Sequence, residues 1–238
     1  MNMLKNPIYT ILISADAEWK IVEKYFSTFK AQESPYGEWF RYQLAFTPDC
    51  LLPVIFFHGG WGKVAAAGST QYVIDRWHPD LIVNLGTCGG IKGEIEREEI
   101  VLAEKTIIYD IYEQMGDADE HLEFYTTYLD LSWLPETLPI PVRRTLLVSG
   151  DRDLFCDQVA SLKSRFGACA GDWESGAIAW VAARNQTELL ILRGVTDLVG
   201  EKGGEAYGNL AYFQQNTEKM MRKLLDTLPQ WLMAFQRV

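Results

Sequence analysis

The chain has 238 residues, of which 48% are hydrophobic and 23% charged, a balance typical of a soluble globular enzyme and not of a disordered or fibrous chain. Its 22 Lys and Arg stand against 32 Asp and Glu, and the formal net charge is -10. Because the basic residues are scattered and form no patch that offsets this charge, nucleic acid is excluded as a partner. The length predicts a single domain over residues 1–238.

The opening of the chain has only a short apolar run, which ends at Asp16 and Glu18, and so lacks the length and flanks of a signal peptide. No stretch approaches the length of a membrane span. The cysteines form no C-x-x-C pair and the histidines have no partner at i+4, which argues against disulfides and a zinc site. We therefore expect a cytoplasmic protein with reduced thiols, no metal, no cofactor and no membrane contact.

The first half of the chain alternates short β-branched runs with longer amphipathic segments, the pattern of an α/β fold with a largely buried sheet. Asp16 is placed to cap the helix after the first strand. The predicted elements are a strand at Tyr9–Ser14, a helix over 17–29, strands at Trp39–Phe46 and Leu51–His58, a helix at Lys63–Trp77, and a strand at Leu81–Leu85 that leads into a turn over Gly86–Gly90.

The second half continues the alternation around one long irregular stretch, from about Asp110 to Ile140. Because structureless connections of this length are usually functional or mobile, we expect a lid or a partner-contacting loop there. The other predicted elements are strands at Ile100–Ile108, Thr145–Val148 and Leu189–Val195, and helices at Val159–Phe166, Glu174–Asn185 and Leu210–Leu225, with Pro229 as a break.

One glycine motif matches a relaxed dinucleotide-binding fingerprint, Gly60-x-Gly62-x-x-Ala65, between a strand and a helix. Such a site also needs an acidic residue at the end of the next strand, and that strand here ends at Asn84. A Walker A loop is excluded because Val64 follows Lys63 where a magnesium-binding Ser or Thr is required. What remains is a pair of glycine-rich turns at strand ends, where the backbone can approach a ligand closely.

Four segments occur in one order: GGWGKVAAA from Gly59, NLGTCGG from Asn84, DWESGAIA from Asp172 and LRGVTD from Leu192. With ILISADAE from Ile11 and SGDRDL from Ser149, they cover the chain to about residue 200. The chain thereby resembles the methylthioadenosine/S-adenosylhomocysteine nucleosidases of the nucleoside phosphorylase superfamily. The resemblance implies an α/β three-layer sandwich with a central mixed, barrel-like twisted sheet flanked by helices, and a purine nucleoside as substrate.

Cleavage of a nucleoside's glycosidic bond leaves positive charge on the ribose and negative charge on the base, and both charges need partners. The resemblance implies that Asp197, after the strand LLILRGV, protonates the purine N7, and that Glu174 binds the ribose hydroxyls. A carboxyl group donates a proton at neutral pH only where burial or like charge raises its pKa. The alternatives are a helix cap for Asp197 and an acid that favours the helix dipole for Glu174.

Further substrate-binding positions follow from the resemblance. Thr87 lies near the ribose and the nucleophile, with a turn-stabilising Thr as the alternative. Trp173 replaces the family's usual Met beside the ribose, unless it belongs to the core. Asp153 replaces an aromatic residue of the base segment; Phe155 then supplies the stacking surface, Asp153 reads a base N–H, or Asp153 is a surface carboxylate. The remaining expected contacts are Cys88, Gly89, Leu154, Asp172 and Thr196.

The charges around the glycine turns favour water as the nucleophile. A phosphorylase needs arginines near such turns for its dianion, and Leu85 stands before Gly86 where one is expected. Asp16 and Glu18 would instead repel phosphate, and Glu18 is the candidate base that deprotonates water, unless it is a salt-bridged residue of the helix start.

The alternatives to hydrolysis are phosphorolysis and a nucleoside- or base-binding protein that has lost turnover. Trp173 and Asp153, the two departures from the family's pattern, motivate the second. The resemblance also implies a homodimer in which a loop of the neighbouring subunit, within Tyr109–Tyr128, closes the 5′ side of the pocket.

Overall fold

The structure, a computed structural model, describes residues 8–26 and 28–235. Over these residues the chain alternates strands and helices. The strands are β1 (Tyr9–Ile13), β2 (Gln32–Glu33), β3 (Glu38–Thr47), β4 (Cys50–His58), β5 (Leu81–Ile91), β6 (Ile100–Ile108), β7 (Thr126–Tyr128), β8 (Arg143–Ser149), β9 (Ala170–Asp172), β10 (Leu189–Gly200) and β11 (Gly203–Gly204). The helices are α1 (Asp16–Tyr25), α2 (Lys63–Trp77), α3 (Ala118–Phe124), α4 (Cys156–Phe166), α5 (Ser175–Arg184) and α6 (Leu210–Ala234).

Five of these strands close into a barrel. β10 pairs in parallel with β5 and antiparallel with β6, β6 pairs in parallel with β8, β8 in parallel with β9, and β9 returns antiparallel to β5. The sheet continues from β5 through β1, β4, β3 and β2. The mixed, barrel-like sheet expected from the sequence is confirmed.

Helices cover both faces of the sheet because side chains alternate along each strand. In β1, Ile11 and Ile13 enter one buried cluster and Leu12 the other. The first cluster contains residues of α1 and α6, including Trp231, which is fully buried; the second contains residues of α2 and α5. The expected three layers, helices, sheet and helices, are therefore present.

Two strands continue well past their predicted C-terminal ends, by five residues or more. β5 continues through Gly86–Ile91, so the glycine-rich segment is not a turn. It continues because β10 pairs with it as far as Ile91, and close packing requires glycine: a Cβ at Gly90 would lie 2.7 Å from Cγ2 of Ile95. β10 likewise runs to Gly200, with an irregularity in its register between Val195 and Asp197. Asp197 therefore lies inside the strand and not at its end.

The predicted break at Pro229 is wrong, because α6 continues to Ala234. An interior proline costs roughly 3 kcal/mol, and burial of the turn around it, which includes Leu228 and Trp231, offsets this cost. The long irregular stretch contains α3 and β7, which the sequence did not predict.

The predicted cap at Asp16 is also wrong. Ala15 is the N-cap of α1, and its N–H donates to Glu18 Oε2 at 3.4 Å. The helix ends at Tyr25, earlier than expected, with Phe26 as its C-cap. Ser27, within the predicted helical segment, lies outside the described residues.

Substitution of Gly194 by alanine tests the contact between the barrel and α6. A Cβ at Gly194 would lie 2.6 Å from Cβ of Met220, an atom of α6 that cannot move without the helix. We expect Gly194→Ala to lower the free energy of unfolding by about 1–3 kcal/mol in urea denaturation. Gly200→Ala, on the same strand, is the matched control, because its Cβ would meet Lys92 side-chain atoms no closer than 3.4 Å. Equal stability of the two variants would contradict this packing.

Candidate active site

A cavity of about 730 Å³ opens where loops and strand segments converge beside the barrel. Such a volume lies within the range of roughly 300–1,000 Å³ that is typical of small-molecule sites. Its wall includes the start of α1, a stretch of β5, the end of β9 and a stretch of β10. The site residues predicted from the sequence all line it: Glu18, Thr87, Cys88, Gly89, Asp153, Leu154, Asp172, Trp173, Glu174, Thr196 and Asp197.

Glu18 lies in the first turn of α1 with its carboxylate buried against β5. Its Oε1 accepts hydrogen bonds from the Thr87 backbone N–H at 2.6 Å and from the Thr87 hydroxyl at 2.8 Å. Burial raises the pKa of Glu18, and the nearby Arg193 guanidinium and the Thr87 hydrogen bonds oppose that rise. No salt bridge of Glu18 is formed within the described residues. A raised pKa makes this carboxylate a stronger base than an exposed one.

Glu174 is the residue before α5, at the other side of the same wall. Its carboxylate does not cap its own helix; instead Oε1 accepts a hydrogen bond from the Gly62 backbone N–H at 2.9 Å. Burial, followed by the negative charge of Asp172, raises the pKa of Glu174 to about 8. The Glu174 carboxyl lines the cavity, where its oxygens can form hydrogen bonds with the hydroxyl groups of a ligand.

Asp197 faces the same cavity from β10. It is 5% exposed, and its Oδ1 accepts a hydrogen bond from the Thr196 hydroxyl at 2.7 Å. Burial is the main cause that raises its pKa, with Glu205 adding to it. The helix-cap alternative is wrong because Asp197 lies inside a strand. Asp197 and Glu174 therefore come from separate elements to one shared cleft.

Asp172 also borders the cavity, yet both oxygens of its carboxylate accept hydrogen bonds from buried residues of the protein. Oδ1 accepts from the Ser149 hydroxyl at 2.6 Å, and Oδ2 accepts from Arg193 Nε at 2.7 Å and from the Ser175 hydroxyl. The Asp172 and Arg193 side chains are 3% and 2% exposed. The expectation that the Asp172 carboxylate binds substrate is not supported by this arrangement, because its hydrogen-bonding capacity is used inside the protein.

Arg193 was missed by the sequence analysis, which found no arginine near the glycine turns. It reaches them from β10: an ideal Cβ on Gly86 would lie 3.0 Å from Arg193 Nη1 and 2.9 Å from Glu18 Oε1. The signal was a single charged residue in the apolar run LLILRGV. Its charge is nevertheless paired with Asp172 and not offered to the cavity.

The end of the cavity near Asp197 is formed by Asp153, Leu154 and the segment before α6. The Tyr207 hydroxyl donates a hydrogen bond to the Leu154 carbonyl at 2.6 Å, and burial raises the pKa of Tyr207. Phe155 is 47% exposed, does not line the cavity and lies under the Arg152 guanidinium, so it is not the stacking surface proposed for it. Tyr207 had no sequence motif to mark it.

The end near Glu174 has two tryptophans. The rings of Trp61 and Trp173 have centroids 5.7 Å apart and an interplanar angle of 31°. Trp173 is half-buried and lines the cavity, so the alternative of a core residue is wrong. Trp61, which is 63% exposed, was missed; the signal was a large aromatic residue between glycines in GGWGK.

The described residues contain neither a metal-binding cluster nor a membrane-spanning helix. Among residues 8–26 and 28–235, no group of three or more His, Cys, Asp or Glu is arranged to hold a metal ion. No helix in the same part of the chain is both long and apolar enough to cross a membrane.

A second cavity, of about 420 Å³, lies beside β3 and β4 and contains none of the predicted site residues.

The fold and the site together define an α/β protein with buried carboxyl groups around one small-molecule cavity on a closed barrel. A family model described as "Phosphorylase superfamily" matches residues 46–229, more than half of the chain. The chain belongs to this superfamily.

Curated relatives are similar over most of their length. A 5′-methylthioadenosine/S-adenosylhomocysteine nucleosidase of Staphylococcus saprophyticus is 30% identical over 169 residues, covering 63% of this chain and 71% of the relative. The protein of the same name from Thermotoga maritima is 28% identical over 162 residues, covering 65% and 70%.

Solved structures share the fold. The nucleosidase of Neisseria meningitidis in complex with methylthio-immucillin-A has a TM-score of 0.73 at 18% identity, covering 95% of this chain and 98% of that one. The nucleosidase of Colwellia psychrerythraea in complex with adenine has a TM-score of 0.73 at 21% identity, covering 97% and 96%.

Proposed function

We propose that this chain hydrolyses the N-glycosidic bond of a 5′-substituted adenosine such as methylthioadenosine or S-adenosylhomocysteine. The relatives named for this activity support the substrate class. The observation that carries the proposal is the meeting of Asp197, Glu174 and Glu18 around one cavity. A cleft with several carboxyl groups of raised pKa fits a reaction that needs both an acid and a base.

Each carboxyl group has a separate task in the proposed reaction. Glu174 binds the ribose hydroxyls, which places anionic oxygen near the positive charge that develops on the sugar. Asp197 donates its proton to N7 of the purine, so the base leaves as a neutral molecule. Glu18 accepts a proton from water as the water oxygen bonds to C1′ and the C1′–N9 bond breaks. Thr87, which binds Glu18, orients that carboxylate.

The charges around the cavity support water over phosphate as the nucleophile. Among the described residues that line the cavity, Arg152 is the one cation, whereas Asp16, Glu18, Asp153, Glu174 and Asp197 carry carboxyl groups. Arg193 lies close by but is paired with Asp172. A phosphate dianion would meet these five carboxyl groups and a single guanidinium, that of Arg152, which lies over the Phe155 ring, whereas a phosphate site usually has several such partners.

The other expected contacts divide between the two ends of the site. Asp153 and Leu154 border the base, together with Thr196 beside the proton donor. Trp173, with Trp61, borders the ribose and its 5′ group. Cys88 and Gly89 also line the cavity, and we assign them a contact with substrate for that reason.

We further propose that residues 1–238 form one domain that acts in the cytoplasm as a homodimer. The stretch 109–128 supports the dimer, because Tyr112 and Met115 are 76% and 97% exposed there and offer apolar surface to a second subunit. Light scattering over a hundredfold range of concentration is expected to give twice the chain mass. A monomer at every concentration would contradict the dimer without affecting the proposed reaction.

The proposed function is tested by incubating the pure protein, in phosphate-free buffer, with methylthioadenosine, S-adenosylhomocysteine, adenosine and inosine. We expect adenine from the first two and the free sugar as the other product. Base release that requires added phosphate and yields a ribose 1-phosphate would establish phosphorolysis instead. Tight binding without base release would identify a nucleoside-binding protein, the reading that Asp153 and Trp173 motivate.

A further inference from the structure

A buried charge network lies directly behind the candidate base. Glu18 of α1 and Arg193 of β10 approach Gly86 of β5 from two sides, as the distances of 2.9 and 3.0 Å from its ideal Cβ position to Glu18 Oε1 and Arg193 Nη1 indicate. No side chain other than that of glycine fits between them. The guanidinium is therefore close enough to affect the carboxylate, but the two groups form no direct ion pair.

Arg193 is held in place by groups that leave it no freedom to turn. Its Nε donates to Asp172 Oδ2 at 2.7 Å and its Nη2 donates to Asn84 Oδ1 at 2.5 Å. Asp172 is held in turn by the hydroxyls of Ser149 and Ser175. These contacts fix both the position of the guanidinium and the negative charge that offsets it.

We propose that Asp172 is a positioning residue for the hydrolysis: it holds Arg193 against Gly86 and offsets its charge, so that Glu18 remains a strong enough base to deprotonate water. The inference rests on the proposed function and deepens it. Asp172 acts through Arg193 and Glu18 and not by contact with substrate, since its carboxylate oxygens are occupied by Ser149, Ser175 and Arg193.

The sign of the effect follows from the groups that face Glu18. Arg193 favours the ionised carboxylate, Thr87 donates two hydrogen bonds to it, and Glu174 is the nearby acid across the cavity wall. Asp172 cancels much of the guanidinium's positive charge. If the negative charge of Asp172 is removed, the positive charge of Arg193 is no longer offset. It then stabilises the ionised forms of Glu18 and Glu174 more strongly, and the pKa of both carboxyl groups falls.

The test is the pH dependence of kcat/KM for methylthioadenosine in Asp172→Asn. In the wild type we expect the rate to rise with pH as Glu18 loses its proton, and this rising part of the profile is called its acid limb. In Asp172→Asn we expect the acid limb to move to lower pH by about one unit, since a nearby opposite charge shifts a carboxyl pKa by roughly 1–3 units. We also expect kcat on the plateau to fall by up to about tenfold, because a base weaker by about one pKa unit accepts the proton. A reduced kcat with an unmoved limb would overturn the proposal and leave Asp172 a structural role.

Two controls separate charge from geometry. Ser149→Ala removes a hydrogen bond from Asp172 but keeps the charge, so its acid limb is expected to stay in place. The conservative variant Asp172→Glu is expected to bring the limb back towards that of the wild type. A limb displaced equally in Ser149→Ala would mean that packing and not charge is responsible, which overturns the proposal.

Asp172→Asn leaves a buried arginine without its partner and can fail to fold. The double variant Asp172→Asn with Arg193→Gln removes both charges, and its acid limb is expected at or above the wild-type pH. A limb below that pH would overturn the proposal. Carbon-13 NMR of the carboxyl of Glu18, assigned by its loss in Glu18→Gln, follows the same pKa without turnover. Absence of base release by the wild type would refute the proposed function, while the NMR titration still decides the role of Asp172.

Discussion

Asp197→Asn is expected to lower kcat for adenine release from methylthioadenosine by about 10²- to 10⁴-fold, the usual contribution of a positioned general acid. Asparagine has nearly the shape of aspartate and can still accept the hydrogen bond that the Thr196 hydroxyl donates. It has no proton acidic enough to give to N7. Because the ribose contacts are on Glu174, the dissociation constant of the nucleoside, measured by calorimetry, is expected to change by less than a factor of about ten.

Asp153→Asn is the matched control for this variant, because it neutralises another carboxylate that lines the same cavity. We expect it to retain kcat within about tenfold, a loss well below that of a missing general acid. The pH profile offers a second check. An acid must hold its proton to donate it, so the wild-type rate should fall as pH rises through the raised pKa of Asp197. Wild-type kcat in Asp197→Asn would refute the assignment.

The site residues could be predicted because they lie in short motifs that resemble those of a known family. Periodicity indicated the apolar strand before Asp197 and the helix that begins at Glu174, but the resemblance, and not the periodicity, assigned both residues to one substrate. The closed barrel was implied by the resemblance and not by the periodicity. Closure depends on the pairing of β10 with both β5 and β6, between residues far apart in sequence.

The glycine-rich segment of β5 shows why local reasoning failed at one place. Glycines normally indicate turns, and Gly86–Gly90 was predicted as one. In the structure the glycines let two strands, the Glu18 carboxylate and the Arg193 guanidinium approach each other closely. This requirement comes from tertiary packing, which a pattern along one segment does not contain.

The same limit applies to the residues that were missed. Arg193 is a charge in an apolar strand, which signals a buried partner, but the partner Asp172 lies 21 positions away and only the folded chain brings the two together. Trp61 and Tyr207 enter the cavity wall from loops whose paths no periodicity defines. The wrong break at Pro229 has a similar origin, since burial of α6 outweighs a local preference.

Glu18→Gln is expected to lower kcat by about 10²- to 10⁴-fold with little change in KM, because it removes the group that accepts the proton of water and leaves the ribose and base contacts in place. The glutamine side-chain oxygen can still accept the hydrogen bonds that Thr87 donates to Glu18 Oε1. Asp16→Asn is the matched control: Asp16 also lines the cavity from α1, but its side chain is 67% exposed. We expect this control to retain kcat within about tenfold.

Glu18→Gln is expected to raise stability at pH 8 while it lowers activity. This difference separates loss of the base from misfolding. Because burial raises the pKa of Glu18 in the folded protein, its ionised form opposes folding. This penalty is absent below the pKa of the unfolded chain and grows as pH rises to the folded pKa. At pH 8 the neutral glutamine therefore avoids it, and Tm of Glu18→Gln should exceed that of the wild type, whereas near pH 4 the difference should shrink. A variant that is inactive and also less stable at pH 8 would indicate that Glu18 supports the fold and not the deprotonation of water.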